Sequence, residues 1–194
     1  AGRAELVRAN VVGRHAQLSA ALVLTALMAV VVAVLIGGLL VGQGYDTTGS
    51  FVVGASVGAC AVAFAGIAAV TAQVSEYPRA AAGMAGAVLG AAFVLRALGD
   101  MAYVQDSGPA WLSWLSPIGW SQQTAPYTLD RWWPLLIAVA FAAATAAVGY
   151  RMSARRDVGA GLVPPRPGAP HAAGWLSSPS ALAFRLQRAS IYGW

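Results

Sequence analysis

Four long segments of the chain are almost free of charge and rich in Ala, Val, Leu and Gly. At about 1.5 Å per residue, each is long enough as a helix to cross a hydrocarbon core of about 30 Å, the last two only just. Short polar segments and one longer loop separate them. The pattern predicts an all-α integral membrane protein whose four transmembrane helices lie at about Ala16–Gly42, Gly49–Val74, Ala80–Leu98 and Trp133–Tyr150.

The composition agrees with a membrane protein and limits its chemistry. Hydrophobic residues make up 58% of the chain and charged residues 10%, against about a quarter charged in soluble domains. The chain contains no Lys, and a phosphate-binding loop needs one to reach the nucleotide phosphates. No hydrolase, zinc-protease or dinucleotide motif occurs, and His15 and His171 are far apart, so we predict no catalytic, cofactor or metal site. Cys60, the single cysteine, is predicted to be a packing residue.

The arginines are distributed unevenly between the connecting segments. They precede the first span at Arg14, separate the second and third at Arg79, and follow the fourth at Arg151, whereas the loops at 43–48 and 100–130 carry none. The positive-inside rule therefore predicts both ends of the chain in the cytoplasm and two loops outside. The net charge of +5 is then explained by arginines that set the topology and contact anionic lipid headgroups, and it does not indicate a protein that binds nucleic acid.

Arg96 is the exception, because it lies inside a predicted span. An intramembrane Arg is by default a functional candidate. It lies close to the predicted outer end at Leu98, where its side chain can snorkel to the interface or pair with Asp100 at i+4. The two interpretations, a structural role and a place on a substrate path, both stay open.

The loop segment Pro109–Trp120 reads P-A-W-L-S-W-L-S-P-I-G-W. It predicts a short amphipathic helix at the outer surface, interfacial or re-entrant, which Pro117 ends. Its Trp and Leu side chains share one side, and Ser113 and Ser116 face the wetter side. An aromatic anchor and a gate are both open interpretations. The candidates for a substrate path or outer gate are Arg96, Trp111, Trp114 and Trp120.

Glycine pairs at four-residue spacing indicate that the helices pack tightly, because small residues let backbones approach in lipid. The pairs are Gly38 and Gly42, Gly54 and Gly58, and Gly86 and Gly90.

The two ends of the chain are polar. Residues 1–15 contain a short predicted helix, Gly2–Asn10, which is either a docking surface or a juxtamembrane helix held by anionic lipid. The Pro-rich run at 159–170 predicts a linker across 151–176. Ser180 is predicted to cap an amphipathic helix within 177–194 on the cytoplasmic membrane face. Because the first residue is Ala, we expect a piece of a longer protein.

Several of these segments together carry a family resemblance. They resemble the permease subunits of bacterial type-2 ABC exporters, in particular the actinobacterial group named for export of polyketide antibiotics. The segments are R-A-E-L-V-R-A-N-V-V-G-R-H-A before the first span, L-R-A-L-G-D at 95–100, W-L-S-W-L-S-P-I-G-W at 111–120, D-R-W-W-P-L-L at 130–136 and R-R-D-V-G-A-G-L-V-P-P-R-P-G at 155–168.

The resemblance implies a permease of two similar halves, each of about six helices, of which this chain is a central fragment. Residues 2–10 would match the coupling helix that docks on a separate ATP-binding cassette ATPase, with Glu5, Arg8 and Arg14 at the contact. That subunit, not this chain, would bind ATP, and Pro109–Trp120 would match the external helix.

The implied function is transport without an ATPase site in this chain: ATP-driven export of amphipathic or hydrophobic compounds across the bacterial plasma membrane. The other implied partners are the remaining half of the permease or a second copy, membrane lipids and the hydrophobic substrate, with no nucleic acid. The alternative function is a non-transporting membrane scaffold or assembly subunit.

Overall fold

A computed structural model describes residues 13, 15–106, 108–155, 171, 174–176 and 178–193, the last five of them without their side chains. These residues form six α-helices and two 3-10 helices, and no β-strand occurs among them. The predicted contact residues Glu5, Arg8 and Arg14, the Gly2–Asn10 helix and the Pro-rich run lie outside the described residues.

Four helices are long and apolar enough to cross a membrane, which confirms the predicted fold class. A further short helix lies in the loop before the fourth of them, and another near the end of the chain. In chain order the helices are α1 (Ala16–Gly42), α2 (Thr47–Val74), α3 (Pro78–Val104), α4 (Pro117–Gln122), α5 (Trp133–Arg155) and α6 (Pro179–Gly193).

Short turns make the first three helices antiparallel neighbours. Gly44, at φ +92°, turns the chain after α1, and the Asp46 side chain accepts a hydrogen bond from Gly49 N–H at 2.9 Å and so caps α2. In the next turn Glu76 accepts a hydrogen bond from the Tyr77 hydroxyl, and this bond, with the carboxylate charge, raises the pKa of Tyr77.

The bundle therefore has two different ends. We call the one with the start of α1, the start of α3 and the end of α5 the Arg-rich end, because Arg79, Arg151 and Arg155 lie there. The opposite end, which contains the turn between α1 and α2, is the cap end.

Helix α2 is the centre of the bundle and contacts α1, α3, α4 and α5. Its glycines make these contacts close: a Cβ at Gly54 would overlap the Ala33 carbonyl oxygen of α1, and a Cβ at Gly66 would overlap the Thr145 hydroxyl of α5. Such backbone approach is the usual basis of helix association in lipid. The central helix thus packs through its smallest residues.

Only one of the three predicted glycine pairs makes a close contact. Gly54 and Gly58 both pack against α1, as predicted. A Cβ added to any member of the other two pairs would meet no described atom within 4 Å: Gly38, Gly42, Gly86 and Gly90. The tight packing of the bundle therefore rests on the pair in α2, and the other two pairs meet no neighbouring helix among the described residues.

The described residues from 171 onward belong to a second compact unit. It contains a 3-10 turn, Gly174–Leu176, and α6. The residue that caps α6 is Ser178, whose hydroxyl accepts a hydrogen bond from Ala181 N–H at 3.3 Å. The predicted cap, Ser180, is wrong because its residue already lies inside the helix, with its hydroxyl 3.0 Å from that of Ser178.

Candidate functional site

The loop between α3 and α5 folds into a compact structure that we call the cap, residues 108–132. It consists of a 3-10 helix, Ala110–Leu115, then α4, then a tight turn. Ser116 has extended backbone between the two helices, and its hydroxyl accepts a hydrogen bond from Ile118 N–H. The single predicted helix Pro109–Trp120 is therefore two short helices. Pro117 begins the second of them, because its fixed φ and missing N–H suit the first residue of a helix.

The cap reaches into the bundle and does not simply lie on its end. The Ser121 hydroxyl of α4 donates a hydrogen bond to the backbone carbonyl of Ser56 at 2.9 Å, about 13 Å along α2 from its first residue. This contact places α4 against the side of α2, and the choice between an interfacial and a re-entrant arrangement in the membrane stays open.

The three candidate tryptophans have three different environments. Trp120 is 8% exposed and donates its indole N–H to the Trp114 carbonyl at 2.6 Å. Trp114 is half-buried and stacks on Trp133 with ring centroids 5.4 Å apart. Trp111 is 60% exposed. The structure brings Trp114 and Trp120 together and leaves Trp111 at the surface, and a role of these residues in a gate stays a prediction.

Trp120 is the anchor of the cap. It packs in the buried core of the bundle, and its ring meets the Phe141 ring edge-on at 5.4 Å. Since Phe141 belongs to α5 and the alanines around Trp120 come from α2 and α5, the indole joins the cap to both helices. The buried alanines are Ala59, Ala63 and Ala138.

The serines of the cap are buried, which contradicts their predicted wetter position. Ser113 is 5% exposed and Ser116 0%. Each hydroxyl bonds to nearby backbone, Ser113 to the Ala110 carbonyl at 3.1 Å, so burial leaves no polar group unpaired. Their small size also lets backbones meet: a Cβ at Gly99 of α3 or at Gly119 of α4 would overlap the Ser113 backbone.

Arg96 joins α3 to the cap. Its Nε lies 2.8 Å from the Asp100 carboxylate, the contact expected at i+4, and donates a hydrogen bond to the Gln122 side-chain oxygen of α4, also at 2.8 Å. Helix α3 continues to Val104, about 12 Å beyond Arg96, so the predicted end at Leu98 is wrong. Gln122 was missed because no local pattern links residues this far apart.

A second connection, also missed from the sequence, lies at the Arg-rich end. The hydroxyls of Ser19 in α1 and Tyr150 in α5 are 2.8 Å apart, and the His15 ring meets the Tyr150 ring edge-on at 5.5 Å. The Nδ1 atom of His15 is buried and has no hydrogen-bond partner among the described residues. The start of α1, where residues 1–15 join the bundle, is therefore attached directly to the end of α5.

Groups that could hold a metal or cofactor are sparse. In the described part of the chain no three His, Cys, Asp or Glu side chains are close enough to share a metal ion. An open depression of about 500 Å³ lies beside the end of α3, where Tyr103 is 79% exposed. Its lining residues are Ala102, Tyr103, Val104, Asp106, Gly108 and Ala110.

Comparison with known proteins gives two agreeing results. Residues 1–152, which include all four long helices up to the last turn of α5, match the family described as "Multidrug efflux system permease Rv1217c, C-terminal domain". All 194 residues are similar to the multidrug efflux system permease protein Rv1217c of Mycobacterium tuberculosis (strain ATCC 25618 / H37Rv), with 45% identity. The chain spans 34% of the length of that relative.

Proposed function

The chain belongs to the family of the multidrug efflux system permease Rv1217c, and we propose that it forms a membrane-spanning part of an ATP-driven exporter of amphipathic or hydrophobic compounds. The observation that carries this proposal is the 45% identity to a multidrug efflux permease along the whole chain, across four helices that can span a membrane. A separate ATP-binding cassette ATPase supplies the energy in this proposal, and polyketide antibiotics are the proposed substrate class.

The packing supports a bundle that is completed by further helices. The main described neighbour of α1 is α2, and α3 contacts α2 and the cap. Apolar side chains such as Leu24, Leu39 and Phe93 are more than half exposed. In the proposal, lipid and the remaining half of the permease or a second copy cover these faces. The central position of the chain in its parent stays a prediction, and the matching family is described as a C-terminal domain.

Residues 1–15 are the proposed contact with the ATPase. They lead into α1 at the Arg-rich end, which the positive-inside rule assigns to the cytoplasm together with both ends of the chain. The proposed ATPase contacts are Glu5, Arg8 and Arg14. A displacement at this contact would reach α5 through the Ser19–Tyr150 hydrogen bond, because that bond joins the first turns of α1 to α5.

The displacement would reach the cap through α2. Gly54 and Gly58 leave no space between the backbones of α1 and α2, so the two helices are expected to move together. The Ser121 hydroxyl then links α2 to α4 through the Ser56 carbonyl. Packed helices and hydrogen bonds of this kind are the physical means by which distant sites are coupled.

The test exchanges the charges at the proposed contact. In the full-length permease reconstituted with its ATPase, Glu5→Arg combined with Arg8→Glu keeps the net charge, and hence the attraction to anionic lipid, unchanged. We expect substrate-stimulated ATP hydrolysis and export to fall together by about 5- to 150-fold, the usual range of allosteric coupling. Both activities are measured in liposomes. Membrane insertion is checked by testing whether the permease stays in the membrane fraction when the membranes are extracted.

A control for position is Arg185→Glu on the exposed surface of α6, which reverses the charge of a basic residue far along the chain from the proposed contact. It should leave hydrolysis and export near the parent values. Parent-level hydrolysis and export in the exchanged variant would contradict the coupling role and favour the lipid-held juxtamembrane segment.

A further inference from the structure

The last part of the cap is a tight turn with an unusual backbone. We call residues 124–131 the strap. Three of its non-glycine residues have left-handed φ values: Ala125 at +45°, Tyr127 at +61° and Asp130 at +46°. A residue with a Cβ is strained in this region, and a bulky one such as Tyr is a genuine outlier. The strap is therefore held in a conformation that its own residues disfavour.

Part of the restraint comes from within the strap. The Asp130 carboxylate accepts a hydrogen bond from Tyr127 N–H at 2.8 Å. The Ala125 carbonyl accepts hydrogen bonds from three N–H groups that follow it, those of Thr128, Leu129 and Asp130. These bonds satisfy backbone groups of the turn in the conformation that contains the left-handed residues.

The other part of the restraint comes from α2, through Tyr127. The Tyr127 ring lies directly against Gly49, where a Cβ would overlap it, and its centroid is 5.7 Å from that of Tyr45. The Tyr127 hydroxyl is 3.2 Å from the hydroxyl of Ser50, which is fully buried. Ser50 donates its only proton to the Asp46 carbonyl at 2.6 Å, so Tyr127 is the donor in the contact with Ser50.

Strained backbone persists only where its surroundings over-determine it, and such segments are often switches. Here the surroundings are a small seat made of Tyr45, Gly49 and Ser50, on which the Tyr127 ring packs while 42% of the residue stays exposed. The strap leads straight into α5 at Trp133. The seated ring thus fastens the start of α5 to the turn between α1 and α2.

We propose that the strap is a two-position latch at the cap end of the bundle. In the closed position Tyr127 occupies the seat on α2, and the start of α5 is fastened to the turn between α1 and α2. In the open position Tyr127 leaves the seat, the left-handed residues relax, and the cap end loosens. This inference concerns the conformation of the chain and goes beyond its proposed function. Its test therefore measures the opening of the strap and does not measure export.

Two small substitutions, one in the seat and one at a strained residue of the strap, should shift the balance between the open and closed positions in opposite directions. Gly49→Ala fills the seat with a methyl group and should favour the open position. Ala125→Gly removes the strain of one left-handed residue and should favour the closed one. Gln123→Gly is the matched control, because it adds the same chain freedom at a residue with an ordinary φ of −65°.

The reporter is a cysteine at Thr124, a strap residue that is 0% exposed in the closed position. The full-length permease with Cys60→Ala and Thr124→Cys is reconstituted in nanodiscs, and the rate of maleimide modification is measured for each variant. Each rate is divided by the rate after unfolding in detergent, which corrects for any change in the reactivity of the thiol itself.

We expect Gly49→Ala to raise the corrected rate about tenfold and Ala125→Gly to lower it about fivefold, with Gln123→Gly at or above the parent rate. Should Gly49→Ala fail to fold, Tyr127→Phe replaces it. That variant keeps the ring, loses one hydrogen bond and should raise the rate about fivefold. A parent-level rate in the seat variant, or an Ala125→Gly rate no lower than that of Gln123→Gly, would overturn the latch.

Discussion

Helices α1 and α3 flank the same central helix, and each is 27 residues long, yet they are held in different ways. Helix α1 packs directly on α2, where Gly54 approaches the Ala33 carbonyl and Gly58 the Ala29 carbonyl. The closest described approach to a glycine of α3 is made by the cap, whose Ser113 backbone lies against Gly99. Helix α1 is held along its length by α2, whereas α3 is held mainly by the cap, near the C-terminal end of the helix.

The difference shows what a small-residue spacing means. Gly54 and Gly58 have a neighbour opposite them, whereas Gly86 and Gly90 have the same spacing and meet no described atom within 4 Å. The spacing therefore permits close approach without causing it. The contacts that join α3 to the cap are the approach of the Ser113 backbone to Gly99 and the Arg96–Gln122 hydrogen bond, and both connect residues that are far apart in the chain.

The largest expected effect comes from removing the anchor of the cap. Trp120→Ala should destabilise the full-length permease by about 3 kcal/mol, the low end for a large aromatic side chain, since lipid replaces part of the lost burial. It deletes the buried ring and its 2.6 Å hydrogen bond to the Trp114 carbonyl. The measurement is thermal or denaturant unfolding in detergent micelles.

Trp111→Ala is the control for this change. It removes the same side chain from the same cap, but at a position that is 60% exposed, so we expect a change within about 0.5 kcal/mol. Equal losses in the two variants would mean that the buried position of Trp120 does not hold the cap.

The next effect tests the direct contact between α1 and α2. Gly54→Ala places a methyl group on the backbone of Ala33, which cannot move aside as a side chain would, so we expect a loss of about 2 kcal/mol. Gly86→Ala adds the same methyl group on α3 and should be neutral or stabilising by about 0.5 kcal/mol, from helix propensity alone. Melting temperatures of the two variants are compared with the parent. If both lost stability alike, an unseen neighbour would lie against Gly86 and the contrast between the two helices would disappear.

The spans and the Arg96–Asp100 pair could be predicted from the sequence because both depend on local spacing. Apolar length defines a membrane helix, and i+4 places two side chains on one face. The end of α3 was misplaced at Leu98 because the bounds followed the apolar, charge-free segment, which stops before Asp100. The helix continues through Gly99 and Asp100, since Gly99 packs on the cap and Asp100 pairs with Arg96.

The cap was predicted less well because its contacts are not local. A side for Ser113 and Ser116 was assigned from the period of an α-helix, but the first part of the cap is a 3-10 helix, in which residues three apart eclipse. The left-handed Ala125 and Tyr127 carry no Gly or Asn signal. Gln122 contacts Arg96 only because the whole loop folds back onto α3.

The smallest expected effect isolates that last contact. Arg96 and Gln122 join α3 to the cap by one charge-assisted hydrogen bond at 2.8 Å, and the Arg96 side chain keeps 27% of its surface exposed. A double-mutant cycle with Arg96→Ala and Gln122→Ala should therefore give a coupling energy of about 1 kcal/mol. The same cycle with Asp100→Ala in place of Gln122→Ala measures the contact within α3 alone and should give about 0.5 kcal/mol. The difference matters because the contact with Asp100 stabilises only the helix, whereas the contact with Gln122 attaches that helix to the cap. A coupling energy to Gln122 near zero would leave Gly99 and Ser113 as the main attachment of α3 to the cap, and Arg96 would then be free to line a path for substrate.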